Sequence, residues 1–254
     1  MTTNSIKPIQ TIYLHDYTIY HYDLVCSTMD IARKLFENDC PHKTVVFANS
    51  QSNGKGRLNR SWTSQQGGIY FTVIMRPSLS IEKCFKFNFT ASLAIINMLK
   101  KLCNINAFVK WPNDVLCNGK KIAGILSDMS AEGTVVHYLN IGIGINHMNI
   151  LPLTCAIPAT SIQLECHQSF PPQTLLSAFL GEFETLNHSI DQETILDTWK
   201  QHSCTMNQRV RIETTHSVFE GIAENIDSSG ALVIRMDNDQ LKHIVYGDCF
   251  HSYR

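Results

Sequence analysis

Between Gln51 and Ser64 the chain reads Gln51-Ser52-Asn53-Gly54-Lys55-Gly56-Arg57-Leu58-Asn59-Arg60-Ser61-Trp62-Thr63-Ser64. Two glycines, three cations and a tryptophan share this one loop. Glycine lets a backbone fold tightly and turn its N–H groups on a ligand, and neighbouring Lys or Arg makes that concavity anion-binding. A tryptophan just beyond can lie flat on a ring system. The set suits a ligand with both a negative and a planar group, such as an acyl-nucleotide; a solvated turn also uses glycine and basic residues. Without visible partners for its cations, the loop from Ser52 to Arg60 is expected to be mobile until a ligand orders it.

A second cluster is Lys110-Trp111-Pro112-Asn113-Asp114, followed by Lys120-Lys121-Ile122-Ala123-Gly124-Ile125-Leu126. The corner presents Lys, Asn and Asp together, although Pro and Asn-Asp are equally the makings of a β-turn. Lys121 lies beside an otherwise apolar run, where a Lys calls for an anionic partner. The third is Ile141-Gly142-Ile143-Gly144-Ile145-Asn146. It lacks the helix that a dinucleotide fingerprint needs, which leaves a close backbone approach to a ligand or to a neighbouring strand. There is no GxxxxGK[ST] loop, so any use of ATP is non-Walker. No GxSxG element or Cys–His pair argues for covalent catalysis by a side chain.

These clusters need elements to position them. Ser27 and Thr28 stand as N-cap hydroxyls before a helix over 29–37, with Asp30 in its first turn. Strands are expected at 43–48, 68–75, 107–111, 121–127 and 134–143, and a long helix at 82–101. After Pro171-Pro172, Leu175, Phe179, Phe183 and Leu186 share one helical face, and Ile195 and Trp199 continue on a next helix. The irregular interleaving and the hairpin-like strand pairs favour an α+β fold with a mixed or antiparallel sheet and flanking helices. Residues 200–208 read as a linker. From about Met206 the helical period stops and short strands follow one another, as in a small SH3-like β-barrel. The domains are therefore expected at 1–203 and 204–254.

Composition narrows the function classes. The 254 residues are 44% hydrophobic and 17% charged, with a formal net charge of −1, which is globular and offers no cationic field for nucleic acid. Nine cysteines, an odd number without CxxC spacing, read as free thiols in a reducing compartment. The eleven histidines show no metal-binding spacing. The N-terminus has no apolar signal core and no run spans a membrane. A cytoplasmic protein with no resident metal, no DNA and no membrane partner is expected.

In order, the ST-helix, QxxGKGRxxRxWxS, GGIYFTVIMRP, KWPNDV with KKIAGIL, GIGIN and ATSIQLE resemble the biotin–protein ligases, from about Cys26 to the C-terminus. The resemblance implies a catalytic domain like that of the class II aminoacyl-tRNA synthetases and biotin ligases, followed by the SH3-like domain. It implies that biotin and ATP give biotinyl-5′-AMP and pyrophosphate. Biotin then passes to a lysine of a biotin carboxyl carrier protein of acetyl-CoA carboxylase. Mg2+ would be held mainly through the nucleotide phosphates.

By the same resemblance Ser27, Thr28, Met29 and Gln51 meet the biotin ring region, and Gly124 leaves room for it. Lys55, Gly56 and Arg57 close over the carboxylate and adenylate phosphate, where Lys121 also reaches; Arg57 and Lys121 are the catalytic pair. Trp62 stacks near adenine and Arg60 approaches the triphosphate. Lys110, Asn113, Asp114 and Asn146 complete the nucleotide and magnesium surroundings.

Many relatives carry Arg at the position of Lys55, and an ammonium cannot make a planar bidentate grip. Some carry an N-terminal DNA-binding domain, for which too few residues precede Ser27; a ligase without repressor function is expected, as monomer or weak homodimer. The alternatives are a lipoate or octanoate ligase or transferase, and a non-catalytic biotin-binding module.

Overall fold

The computed structural model describes residues 7–77, 79–152, 157–189 and 191–251. A hairpin opens the fold, β1 (Gln10–Leu14) and β2 (Tyr17–Val25), followed by α1 (Thr28–Glu37) and β3 (Thr44–Gln51). After a single 3-10 turn at Arg57–Asn59 come β4 (Ile69–Met75), the short α2 (Ile81–Cys84) and α3 (Lys86–Cys103). The expected helix at 82–101 is thus two helices, joined through Phe85, itself in helical conformation. Then follow β5 (Phe108–Lys110), β6 (Asp114–Cys117), β7 (Lys120–Glu132), β8 (Val135–Ile145), α4 (Ile162–Cys166), α5 (Pro172–Ser189) and α6 (Gln192–Gln201). The last five strands are β9 (Arg209–Glu213), β10 (Val218–Ile226), β11 (Leu232–Arg235), β12 (Leu241–Ile244) and β13 (Asp248–His251).

The first eight strands form one mixed sheet in the order β1-β2-β3-β4-β8-β7-β6-β5. Only β2 and β3 run parallel. Strand pleating sends alternate residues to opposite faces. Val45, Phe47, Ile69, Phe71 and Val73 join the main core, where Phe71 meets Phe179 of α5 edge-on at 5.0 Å. Val46, Ala48 and Ile74 turn the other way and pack with Ala32 of α1. A central strand buried on both faces reads as a continuous apolar run, as β4 does. The face under α1 carries the cavity described below.

The second sheet, β12-β11-β10-β9-β13, is antiparallel throughout. Its Val210, Ile212, Leu232 and Ile234 belong to the same core cluster as the large sheet. The stretch 200–208 is no free linker: Lys200 and Gln201 end α6, the Val109 N–H donates to His202 O, and Cys204 N–H donates to Val109 O. Thr205 Oγ1 accepts from Trp111 N–H at 3.1 Å, and the Trp111 indole donates to Gly230 O at 3.3 Å. The Trp111–Pro112 peptide bond is cis. The eight described cysteines are free; Cys155 lies outside the described residues. Among the described residues no helix is long and apolar enough to cross a membrane.

Candidate functional site

A cavity of about 540 Å³ is lined by Ser27, Thr28, Met29, Gln51, Lys55, Gly56, Arg57, Arg60, Trp62, Lys110, Asn113, Asp114, Lys121, Gly124 and Asn146. The fold thus brings together side chains from α1, the 51–64 loop and the ends of β5 to β8. Gly142, Gly144, Leu126 and Ile157 also line it, as do Asp248, Cys249 and Phe250 of β13. The glycine repeat in β8 carried a signal for its part. Nothing in the sequence pointed to β13.

Around Ser27, Thr28 and Gln51 the contacts are neutral. Ser27 occupies the N-cap position, but its hydroxyl makes no capping bond and is buried without a partner among the described residues. The expectation that the hydroxyls cap the helix is corrected: the Ser27 side chain lines the cavity, and Thr28 is already helical and bonds Gln51. Gln51 Oε1 accepts from Thr28 N–H at 2.8 Å and from the Thr28 hydroxyl at 3.2 Å. Thr72 Oγ1 donates to Thr28 Oγ1 at 2.9 Å, and Gln51 Nε2 donates to Ser64 Oγ at 2.8 Å.

The floor is glycine. Gly124 of β7 and Gly144 of β8 are paired across the two strands. A Cβ on Gly124 would lie 2.9 Å from the Trp62 ring, and one on Gly144 2.5 Å from Trp62 Nε1. Any larger residue would expel the indole, so these glycines serve close approach. A Cβ on Gly142 would meet Met29 Sδ at 2.6 Å in the same way. The space over Gly124, which the resemblance gives to the biotin ring, holds Trp62 in this structure. Trp62 Nε1 is buried without a partner among the described residues.

Each cation lining the cavity has a partner, Lys55 on α1 itself and the others away from it. Lys121 Nζ lies 2.6 Å from Asp114 Oδ1, an ion pair out of hydrogen-bond alignment, and 5.1 Å from the centre of the Trp62 ring. Lys55 pairs with Asp30, and Arg60 reaches both carboxylate oxygens of Asp248. Arg57 donates to Gly247 O at 3.2 Å and to Asn113 Oδ1 at 3.3 Å. Burial presses the Arg57 pKa down, while Asp248 and Asp114 oppose that shift. The buried Lys110 ammonium donates to Cys249 O. The loop cations expected to lack partners are therefore all engaged, two of them by β13 and the turn before it. Sequence distance hid those partners, because each lies about 190 residues away in the chain.

Asn113 Nδ2 donates to Ile125 O at 2.7 Å, and Asn146 Nδ2 to Lys121 O at 3.4 Å, so both amides also brace the strands beside Lys121. Burial pushes the Cys249 thiol up to about 12, so it is a poor nucleophile at neutral pH. Behind it, burial and then the Lys110 charge lower His251 to about 4. Among the described residues no group of three or more His, Cys, Asp or Glu could hold a metal ion.

Residues 22–146 match the model of the biotin/lipoate A/B protein ligase family, and residues 205–252 that of the biotin protein ligase C-terminal domain. The bifunctional ligase/repressor BirA of Bacillus subtilis is 31% identical over 249 residues, 94% of this chain and 75% of that protein. The biotin–[acetyl-CoA-carboxylase] ligase of Paracoccus denitrificans is 31% identical over 199 residues, covering 75% of this chain and 83% of that one. Among solved structures, the biotin protein ligase from Aquifex aeolicus in complex with biotin and ATP superposes with a TM-score of 0.78 at 22% identity. The match covers 93% of this chain and 99% of that one. The Leishmania major biotin protein ligase in complex with biotinyl-5-AMP gives 0.67 at 25% identity, over 89% and 98%. Both family models match in chain order, one over strands of the large sheet and one over the small sheet, and 31% identity spans at least three quarters of each of these two relatives: the chain belongs to the biotin–protein ligase family.

Proposed function

We propose that this chain activates biotin with ATP and transfers it to a lysine of a biotin carboxyl carrier protein of acetyl-CoA carboxylase. The biotin carboxylate attacks the α-phosphorus, the bond to pyrophosphate breaks, and biotinyl-5′-AMP remains. The neutral carrier amine then attacks the acyl carbon, AMP leaves with the bonding electrons, and the amine proton passes to solvent.

Neither step needs a protein nucleophile. Both need positive charge where carboxylate and phosphate meet, supplied by Lys121 and Arg57. Asp114 holds the Lys121 ammonium in place until the ligand's oxygens replace it as partner. Lys55 and Gly56 close the loop over the acyl phosphate, while Trp62 offers its ring to the adenine. Arg60, Lys110, Asn113 and Asn146 surround the nucleotide. The donor set fits a Mg2+ that arrives on the nucleotide: Asp114 would complete its shell, and the ion would neutralise phosphate charge. The division of labour falls at 203/204, with the small domain supplying one wall through Asp248 and Cys249.

What carries biotin over lipoate is the neutral end. Thr28, Gln51 and the unpartnered Ser27 hydroxyl offer hydrogen bonds that a cyclic urea can use and a dithiolane cannot. Pyrophosphate release from ATP should therefore need biotin. Equal release with lipoate would overturn the assignment, and binding of biotin without any release would leave only a binding module.

A further inference from the structure

We infer that Ser64 is a positioning residue for biotin recognition, acting through the Gln51 amide; the inference rests on the reading of the cavity as a biotin site. Ser64 is 5% exposed, and its hydroxyl has a single proton. That proton goes to Trp62 O at 2.9 Å. Ser64 Oγ therefore faces Gln51 as an acceptor, and the atom 2.8 Å away must be the amide nitrogen. At the far side the Thr28 N–H can only donate, so the amide oxygen must lie there, at 2.8 Å. Ser64 and the first turn of α1 thus fix the two ends of Gln51 in opposite senses.

The remaining hydrogen-bond capacity is small and directional. Gln51 Oε1 already accepts two bonds, both from Thr28. Thr28 Oγ1 donates to Gln51 and accepts from Thr72. One Nε2 proton and one Thr28 lone pair are left, a donor beside an acceptor. They match the carbonyl and an adjacent N–H of a cyclic urea. With the amide turned end for end, an oxygen would face the urea carbonyl and an NH2 would face the Thr28 N–H. Ser64 makes that inversion costly without touching the ligand.

Ser64 also closes the loop through its backbone, since Gln51 N–H donates to Ser64 O at 2.9 Å, so a purely structural role must be separated from positioning. A double-mutant cycle with Ser64→Ala and Gln51→Ala does this, read by biotin calorimetry and by KM and kcat for pyrophosphate release. Loss of one neutral hydrogen bond should raise the biotin KM of Ser64→Ala roughly five- to tenfold, with kcat nearly unchanged. In the Gln51→Ala background the same substitution should shift it less than about twofold, because the two act as one unit. An equal penalty in both backgrounds, or no penalty in the wild-type background, would overturn the inference. Should a melting curve show Ser64→Ala to be unfolded, the near-isosteric Ser64→Cys, a weaker acceptor, carries the cycle. Wild-type protein that binds no biotin would refute the site reading itself, whereas wild-type binding with an additive cycle refutes only the Ser64 role.

Discussion

At the α1 end of the cavity Thr72, Thr28, Gln51 and Ser64 pass neutral hydrogen bonds from one to the next, and the direction of each follows from its neighbour. Across the cavity, Arg60 and Lys121 pair with carboxylates, while Arg57 and Lys110 pair with backbone carbonyls of β13 or the turn before it; Lys55 alone pairs with a carboxylate on α1, Asp30. A neutral ligand group is read by the exact count of donors and acceptors, so its partners must be locked beforehand. An anionic group is attracted whatever its angle, but a cation as buried as Lys110 needs a partner before it arrives. Those partners must also be exchangeable. One end therefore resembles a template and the other a set of charges on loan.

Lys121→Ala should give the largest break at the ionic end. The variant should fold, since Lys121 lies at the cavity wall, yet lose about 10²–10³-fold in pyrophosphate release, the scale of one removed oxyanion donor. Near wild-type turnover would remove Lys121 from the chemistry.

Gly144→Ala tests the floor shared by both ends. The added Cβ falls 2.5 Å from Trp62 Nε1, and overpacking of this kind costs roughly 1–3 kcal/mol, which would raise the ATP KM roughly five- to 150-fold. The biotin KM should move less. If ATP binding and Trp62 fluorescence both stay unchanged, the indole does not depend on that slot.

Lys55→Arg sharpens the contrast between point charge and fork. Guanidinium can hold Asp30 or an acyl phosphate through two parallel bonds, so release of biotinyl-5′-AMP should slow by about one charge-assisted hydrogen bond, roughly 1.5 kcal/mol. Carrier biotinylation should persist. Off-rates that agree for wild type, Lys55→Arg and Lys55→Ala would exclude residue 55 from the site.

The smallest effect concerns pH. His251, lowered by burial and by the Lys110 charge from 6.5 to about 4, binds its proton more readily when the chain is unfolded. Its contribution is complete above the unfolded value and is lost as pH falls from 6.5 towards 4. Because the ring is only half-buried, the effect is discounted to about 1 kcal/mol; the melting temperature should drop by about 2–4 °C across that window, and His251→Phe should flatten the curve. The Thr28–Gln51–Ser64 chain carries no ionised side chain, so biotin affinity should hold over the same range.

The loop, the Lys110–Asp114 corner and the glycine repeat were legible in the sequence because each is local and rich in residues with narrow uses. The first hairpin was not. Its turn is made by His15 and Asp16, both with positive φ, where glycine or Asn-Gly would have announced it. An anionic partner for Lys121 follows from its apolar neighbours, but its identity as Asp114 depends on pairing of β6 with β7.

By itself, then, the chain specified most of the strands and helices, the loop that gathers glycines and cations, and the family it resembles, because propensity and residue chemistry act over a few neighbours. The tertiary structure alone decided three further matters. It withheld the Ser27 hydroxyl from its helix, laid Trp62 over Gly124 and Gly144, and carried Gly247, Asp248 and Cys249 to cations about 190 residues and about 140 residues distant. Those contacts join segments whose sequences contain no trace of one another; they arise only when two sheets bury their apolar faces in one core.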